Sequence, residues 1–120
     1  MLRRFREIMT ITRATAPSSA PEPGMIRQVL AFSPHLMLVK HNFKKGWVGA
    51  AHAHPHQQLV YVVRGSIAIT VAGETQTASA GDSFVVDGGL EHQATALEDA
   101  EVLDVFTPIR EDYRPAGKSE

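Results

Sequence analysis

From residue 25 onward, apolar positions recur every second residue rather than every third or fourth. In residues 36–43, Leu36 and Leu38 fall on one side, and Met37, Val39, His41 and Phe43 on the other. Ile67, Ile69 and Val71 alternate with Ala68, Thr70 and Ala72. A period of two is the signature of an extended strand, whose successive side chains point to opposite faces. Residues 59–63 are apolar without clean alternation, which predicts a strand covered on both faces. Further runs at 26–32, 75–78, 83–86, 91–97 and 101–107 complete the series. Turn residues separate them: Ser33-Pro34, Lys44-Lys45-Gly46, Arg64-Gly65, Ala72-Gly73-Glu74, Ala80-Gly81-Asp82, Asp87-Gly88-Gly89 and Glu98-Asp99. No long helical period follows residue 24. The implied class is all-β, an antiparallel barrel or jelly roll.

The two ends break this pattern. Residues 1–24 read as an appendage: Arg3, Arg4, Arg6 and Arg13 make it basic, and Leu2, Phe5, Ile8, Met9 and Ile11 form only a weak helical stripe. Residues 16–24, rich in Ala, Pro and Ser, read as a flexible linker. The basic start lacks the continuous apolar stretch of a secretory signal, and Glu7 and its shortness argue against a transit peptide. The expected organisation is a flexible arm at 1–24, a β-barrel at 25–113 and a polar tail at 114–120.

Composition narrows the function classes. A chain of 120 residues suits one domain. A formal net charge of −1 gives no electrostatic case for nucleic acid. No apolar run is long enough to span a membrane as a helix. The absence of cysteine excludes disulfides and thiolate ligands and fits a cytoplasmic protein.

The candidate chemistry sits in the histidines. Of six in the chain, His52, His54, His56 and His92 fall in or near the glycine-bounded segments 46–65 and 81–92. In an extended segment His52 and His54 share a face. Gln58 opens the next run, and His92 arrives from elsewhere in the chain. Three imidazoles and one amide oxygen suit a divalent metal with positions left open for a ligand. A lone histidine in a strand is more often a surface or satisfied core residue, but the strict spacing favours a metal centre at His52, His54, Gln58 and His92. His56 shares parity with the pair, but Pro55 interrupts the segment, so it is a supporting or rim residue as readily as a ligand.

A second anomaly lies in Val102-Leu103-Asp104-Val105-Phe106, where a carboxylate sits inside an apolar run. A buried charge without a partner is costly, so Asp104 either faces the histidine cavity with a task or lies on a solvated face. Inside the cavity it would serve as an acid/base or orient a ligand histidine. Arg110 has the same parity beyond Pro108. It is a candidate cation for a substrate carboxylate at the cavity mouth, or else an ordinary surface arginine.

These segments resemble the paired motifs of the cupins, G-x5-HxH-x3-E-x6-G and G-x5-PxG-x2-H-x3-N. Gly46, His52, His54 and Gly65 match the first, with Gln58 in place of Glu. Gly81, Gly89 and His92 match the second, with Asp87 in place of Pro and Ala96 in place of Asn. Gln for Glu removes a negative ligand and leaves a bound metal a stronger Lewis acid. The runs 52–58 and 102–108, the following Arg110-Glu111-Asp112-Tyr113 and the early run 27–33 are similar to one branch of single-domain cupins, the pectin-degradation KdgF family. Within that branch Gln57 and Ile109 are departures. The resemblance implies a double-stranded β-helix (jelly-roll) fold and a metal held by His52, His54, Gln58 and His92. It implies an active site containing Asp104, Phe106 and Arg110, and linearisation of 4,5-unsaturated uronates, sugar acids released in pectin or alginate breakdown. A homodimer is also implied. Ni, Zn, Fe, Co and Mn all suit three His and one Gln, so the metal stays open. Other chemistries of the same scaffold are an Fe(II) dioxygenase, another small-molecule isomerase, or a non-catalytic sugar- or metal-binding protein.

Overall fold

The computed structural model describes residues 9–115. Nine strands run in order: β1 (Ser19–Glu22), β2 (Met25–Phe32), β3 (Met37–Phe43), β4 (Gln57–Arg64), β5 (Ser66–Val71), β6 (Glu74–Ser79), β7 (Ser83–Val86), β8 (His92–Ala96) and β9 (Ala100–Thr107). The only helical turn among the described residues is a 3-10 turn at Glu111–Tyr113. A six-stranded sheet has the order β1-β2-β3-β9-β4-β7, and a three-stranded sheet the order β6-β5-β8; all pairings are antiparallel. Residues 46–52 run along the free edge of β8, with bridges at Val48↔Thr95 and His52↔His92. They extend the smaller sheet without forming a regular strand. This is the jelly-roll class that the two-residue period predicts, and no described helix is long and apolar enough to cross a membrane.

Local chemistry explains the turns. Ala72 and Gly73, at φ 51° and 81°, make the two-residue hairpin between β5 and β6. Gly88 is required by close approach, since a Cβ there would collide with the Pro55 carbonyl oxygen. That approach lets the Gly89 N–H donate to the His54 carbonyl at 2.8 Å, tying the β7–β8 loop to the first histidine segment.

Buried residues between the two sheets and under the segment after β9 form two apolar clusters. Met25, Phe43, Val60, Val62, Ile67 and Val102 belong to one, and Met37, Val39, Phe106 and Ile109 to the other. The strand registers place polar side chains between them. Arg27 pairs with His41, Asp104 lies opposite Val39 and Val60, and Gln58 lies opposite Phe106. Arg27, His41, Asp104 and Gln58 therefore step diagonally across β2, β3, β9 and β4, one residue per strand.

Three expectations are corrected. Residues 59–63 are not covered on both faces: Val60 and Val62 are buried, but Leu59 and Tyr61 are 44% and 45% exposed on the outer face of the sheet. The pair His52 and His54 lies in irregular chain rather than a strand, because one extra residue between Gly49 and His52 shifts the register against β8 and Pro55 follows directly. Ser19–Glu22, placed by composition in the flexible arm, forms β1 against β2. The preceding segment is tied down as well, since the Gln28 amide donates to the carbonyls of Ala14 at 3.0 Å and Ala16 at 2.7 Å. Those bonds use main-chain acceptors, which a side-chain pattern does not reveal. Met9 and Ile11 are exposed and non-helical, while Leu2, Phe5 and Ile8 and the tail from residue 116 lie outside the described residues.

Candidate metal centre and cavity

Reciprocal backbone bonds join the two histidine segments. The His52 N–H donates to the His92 carbonyl at 3.0 Å, and the His92 N–H to the His52 carbonyl at 2.9 Å. With Gly89 bonded to His54, they bring three rings together, with centroids 5.3, 4.5 and 4.8 Å apart for His52–His54, His52–His92 and His54–His92. One ring nitrogen from each falls within 4.8 Å of the others.

Hydrogen bonding fixes which nitrogen faces inward. Each Nδ1 lies against a main-chain carbonyl two residues away: His52 on Ala50 at 3.0 Å, His54 on His56 at 3.1 Å, and His92 on Leu90 at 3.0 Å. A carbonyl only accepts, so Nδ1 carries the proton and each Nε2 presents a lone pair. The Gln58 amide nitrogen donates to Asp104 Oδ1 at 2.7 Å, so its oxygen points the other way, 3.2 Å from His54 Nε2. Two acceptors facing each other at that distance call for a cation. The donor set, three imidazoles and an amide oxygen, thus fits a divalent metal.

Electrostatics agree. Burial, chiefly, holds His54 below the usual imidazole value, helped by Arg110, His92 and His52 and opposed by its contact with Gln58. Burial also lowers His92, with His52 and Arg110 acting the same way against the opposing Leu90 carbonyl and Asp104. Both shifts keep the rings in the form that ligates metal.

A cavity of about 320 Å³ opens beside the histidines, lined in part by His52, Gln58, His92, Asp104, Phe106 and Arg110. This volume is in the range of small-molecule sites. Asp104 is 3% exposed, and its second oxygen accepts from His41 Nδ1 at 2.7 Å. Phe106 is fully buried, its ring edge-on to His54 at 6.1 Å. Arg110 lies 5.4 Å over Phe106 and 4.2 Å over the Tyr113 ring. Its guanidinium also makes a two-point bond to Asp112, at 3.0 and 2.8 Å, which holds that carboxyl below its ordinary range. His56 contributes its carbonyl to the centre, while its ring stays outside the three-histidine cluster.

Three polar or aromatic lining residues had no role assigned from the sequence: Arg27, His41 and Tyr113. Arg27 Nε donates to His41 Nε2 at 3.0 Å, and its guanidinium stacks 3.7 Å over Tyr113. A signal existed for His41, a polar residue sharing a face with Met37, Val39 and Phe43, which is the same anomaly that singled out Asp104.

Jelly-roll sheets, paired glycine-bounded histidine motifs and a metal-ligand cluster between them define a cupin. A family model described as "Cupin domain" matches residues 39–106, and the chain belongs to that family. More narrowly, it is 35% identical over 92 residues to the pectin degradation protein KdgF of Dickeya dadantii (strain 3937), covering 75% of this chain and 84% of that protein. The solved structure of KdgF from a Halomonas species is 37% identical, with a TM-score of 0.83 over 88% of this chain and 100% of that one. An RmlC-like cupin from Shewanella frigidimarina is 36% identical, with a TM-score of 0.84 over 88% and 96%.

Proposed function

We propose that this chain is a metal-dependent enzyme of pectin or alginate breakdown that linearises 4,5-unsaturated uronates, such as unsaturated galacturonate, to open-chain 5-keto-4-deoxyuronates. The observation that carries the reading is the convergence of three imidazoles and one amide oxygen at the edge of a cavity that a buried carboxylate and an arginine also line. Similarity to KdgF supplies the substrate class.

The reaction is an isomerisation and needs no oxidant. The C1–O5 hemiacetal bond opens to an aldehyde, the C5 enol becomes a ketone, and a proton leaves the C1 hydroxyl and arrives at C4. His52, His54, Gln58 and His92 would hold a divalent cation, whose chemistry there is Lewis acidity toward substrate oxygens as charge develops. Its identity within Ni, Zn, Fe, Co and Mn is not fixed by this donor set. Asp104 moves the proton: its two bonds leave each oxygen a second lone pair to use toward the cavity. Arg110 holds the substrate carboxylate by exchanging its two-point bond with Asp112 for one to the ligand. Phe106 forms the apolar wall beneath.

The test is an anaerobic assay of metal-loaded protein on unsaturated galacturonate, following loss of the ultraviolet absorbance of its conjugated double bond. Turnover without oxygen is expected. An absolute oxygen requirement would indicate a dioxygenase, and saturable binding without turnover a non-catalytic cupin.

The outer face of the large sheet supports assembly as a homodimer. Leu38, Val105, Leu59 and Val85 form one row across four strands, with Leu103 and Tyr61 beside it. Val85 and Leu59 are 53% and 44% exposed in the single chain. Sedimentation equilibrium should give twice the chain mass; a single-chain mass at micromolar concentration overturns the assignment.

A further inference from the structure

Four side chains that share no neighbourhood in the sequence form one continuous hydrogen-bonded line. Arg27 Nε donates to His41 Nε2 at 3.0 Å, His41 Nδ1 to Asp104 Oδ2 at 2.7 Å, and Gln58 Nε2 to Asp104 Oδ1 at 2.7 Å. The Gln58 oxygen then lies 3.2 Å from His54 Nε2. The line begins at a group that can only donate and passes through one that can only accept, so its direction is fixed at every link. Arginine at Nε2 forces the His41 proton onto Nδ1. That proton fills one oxygen of Asp104 and pins the carboxylate plane. The other oxygen draws the amide nitrogen of Gln58, and only then does the amide oxygen face the three imidazoles. Without such a constraint an amide rotates freely between two nearly isosteric orientations, one of which aims N–H groups at the centre and repels a cation.

We propose that His41, held in one tautomer by Arg27, is a positioning residue of the metal centre, acting through Asp104 to aim the Gln58 oxygen. His41 lines the cavity but bonds none of the four candidate ligands, and it reaches Gln58 only through Asp104. Its ring is 5% exposed, stacks on Phe43 with centroids 5.6 Å apart and meets Tyr113 edge-on at 6.1 Å. Apolar packing alone would be served as well by phenylalanine, so the imidazole is explained by its two nitrogens. The inference rests on the metal-centre reading but not on the identity of the substrate. It extends that reading to β2 and β3, which carry none of the ligands.

The test uses cobalt(II) as the probe, because its visible spectrum reports the ligand field as well as occupancy. Wild-type protein is titrated first; failure to bind cobalt would overturn the metal centre itself, and the inference with it. His41→Phe keeps the ring packing and removes both nitrogens. It should weaken cobalt affinity by about ten- to a hundredfold, the usual effect of losing a residue that orients a ligand, and alter the visible bands. His41→Asn places an N–H near the position of Nδ1 and should restore most of the affinity and the spectrum. His41→Gln places its amide near Nε2 instead and should remain as weak as His41→Phe. The order Asn above Gln is the signature of positioning, and it decides the matter even where the phenylalanine variant does not fold. Wild-type affinity and spectrum in His41→Phe, or equal behaviour of Asn and Gln, would overturn the proposal.

Discussion

The two faces of the six-stranded sheet contrast in an unexpected direction. The inner face, which should be the apolar one, carries a line of Arg27, His41, Asp104 and Gln58 between two apolar clusters. The outer face carries the continuous apolar row of Leu38, Val105, Leu59 and Val85. Polar groups inside a sandwich cost free energy unless every donor and acceptor is matched, and here each link of the line is matched. In the proposed reading the buried face carries the chemistry and the exposed one the dimer contact. Substitutions on the two faces should therefore separate cleanly: the inner line governs metal and turnover, and the outer row governs assembly.

The largest effect belongs to the ligands. His52→Ala and His92→Ala should each abolish activity and strip the metal, measured by elemental analysis of purified protein, while the β-rich circular dichroism spectrum persists. Full occupancy in both variants would remove these histidines from the centre.

Next in size is Asp104→Asn. Loss of a positioned acid–base group should lower kcat by about a hundredfold to ten-thousandfold. The structure adds a second consequence: an asparagine presents one acceptor and one donor where the carboxylate presented two acceptors, so His41 or Gln58 must break its bond. Arg110→Ala should chiefly raise KM, since its fork can serve the substrate carboxylate. Near-wild-type kcat in Asp104→Asn with full metal would assign Asp104 a structural role alone.

A smaller effect is expected of Gln58→Glu. It places a carboxylate against Asp104 Oδ1, where the amide now donates at 2.7 Å. Two carboxylates this close compete for one proton. Metal should be retained or tightened while kcat falls, read by parallel metal analysis and initial rates; unchanged kcat with the same metal contradicts the charge argument.

Acid should act through the same face. His54 and His92 titrate below the usual 6.5 when folded. The unfolded chain then binds more protons between the two values, so their contribution to stability is complete above about pH 6.5 and is lost as pH falls below it. Metal retention should fall in the same direction, because ligation needs the unprotonated ring. Thermal melts and metal content between pH 7.5 and 5 check this, and stability rising on acidification would reverse the sign. The smallest change in the site should come from the outer row: Leu59→Lys should leave kcat and metal content unchanged and shift the sedimentation equilibrium toward the single chain.

Much of this contrast was legible before the structure. Alternation marked the strands of residues 36–43 and 67–71, and glycine spacing marked the histidine segments. Asp104 stood out as a charge in an apolar run. What alternation cannot give is which face turns inward when both are apolar, so residues 59–63 read as doubly covered although Leu59 and Tyr61 lie outside. His41 was given no role because its partners, Arg27 and Asp104, come from β2 and β9, and register across strands is invisible in a linear pattern. Likewise β1 depends on main-chain bonds, and Gln28 holds the preceding segment through carbonyls rather than a side-chain pattern.

The proposed turnover depends on a single metal centre. Protein stripped by chelator should be titrated with one divalent metal under anaerobic conditions, with the initial rate of absorbance loss from unsaturated galacturonate recorded at each addition. The predicted curve starts near zero, rises linearly and breaks at one metal per chain. Full activity in the stripped protein, or a rate that ignores added metal, would contradict it.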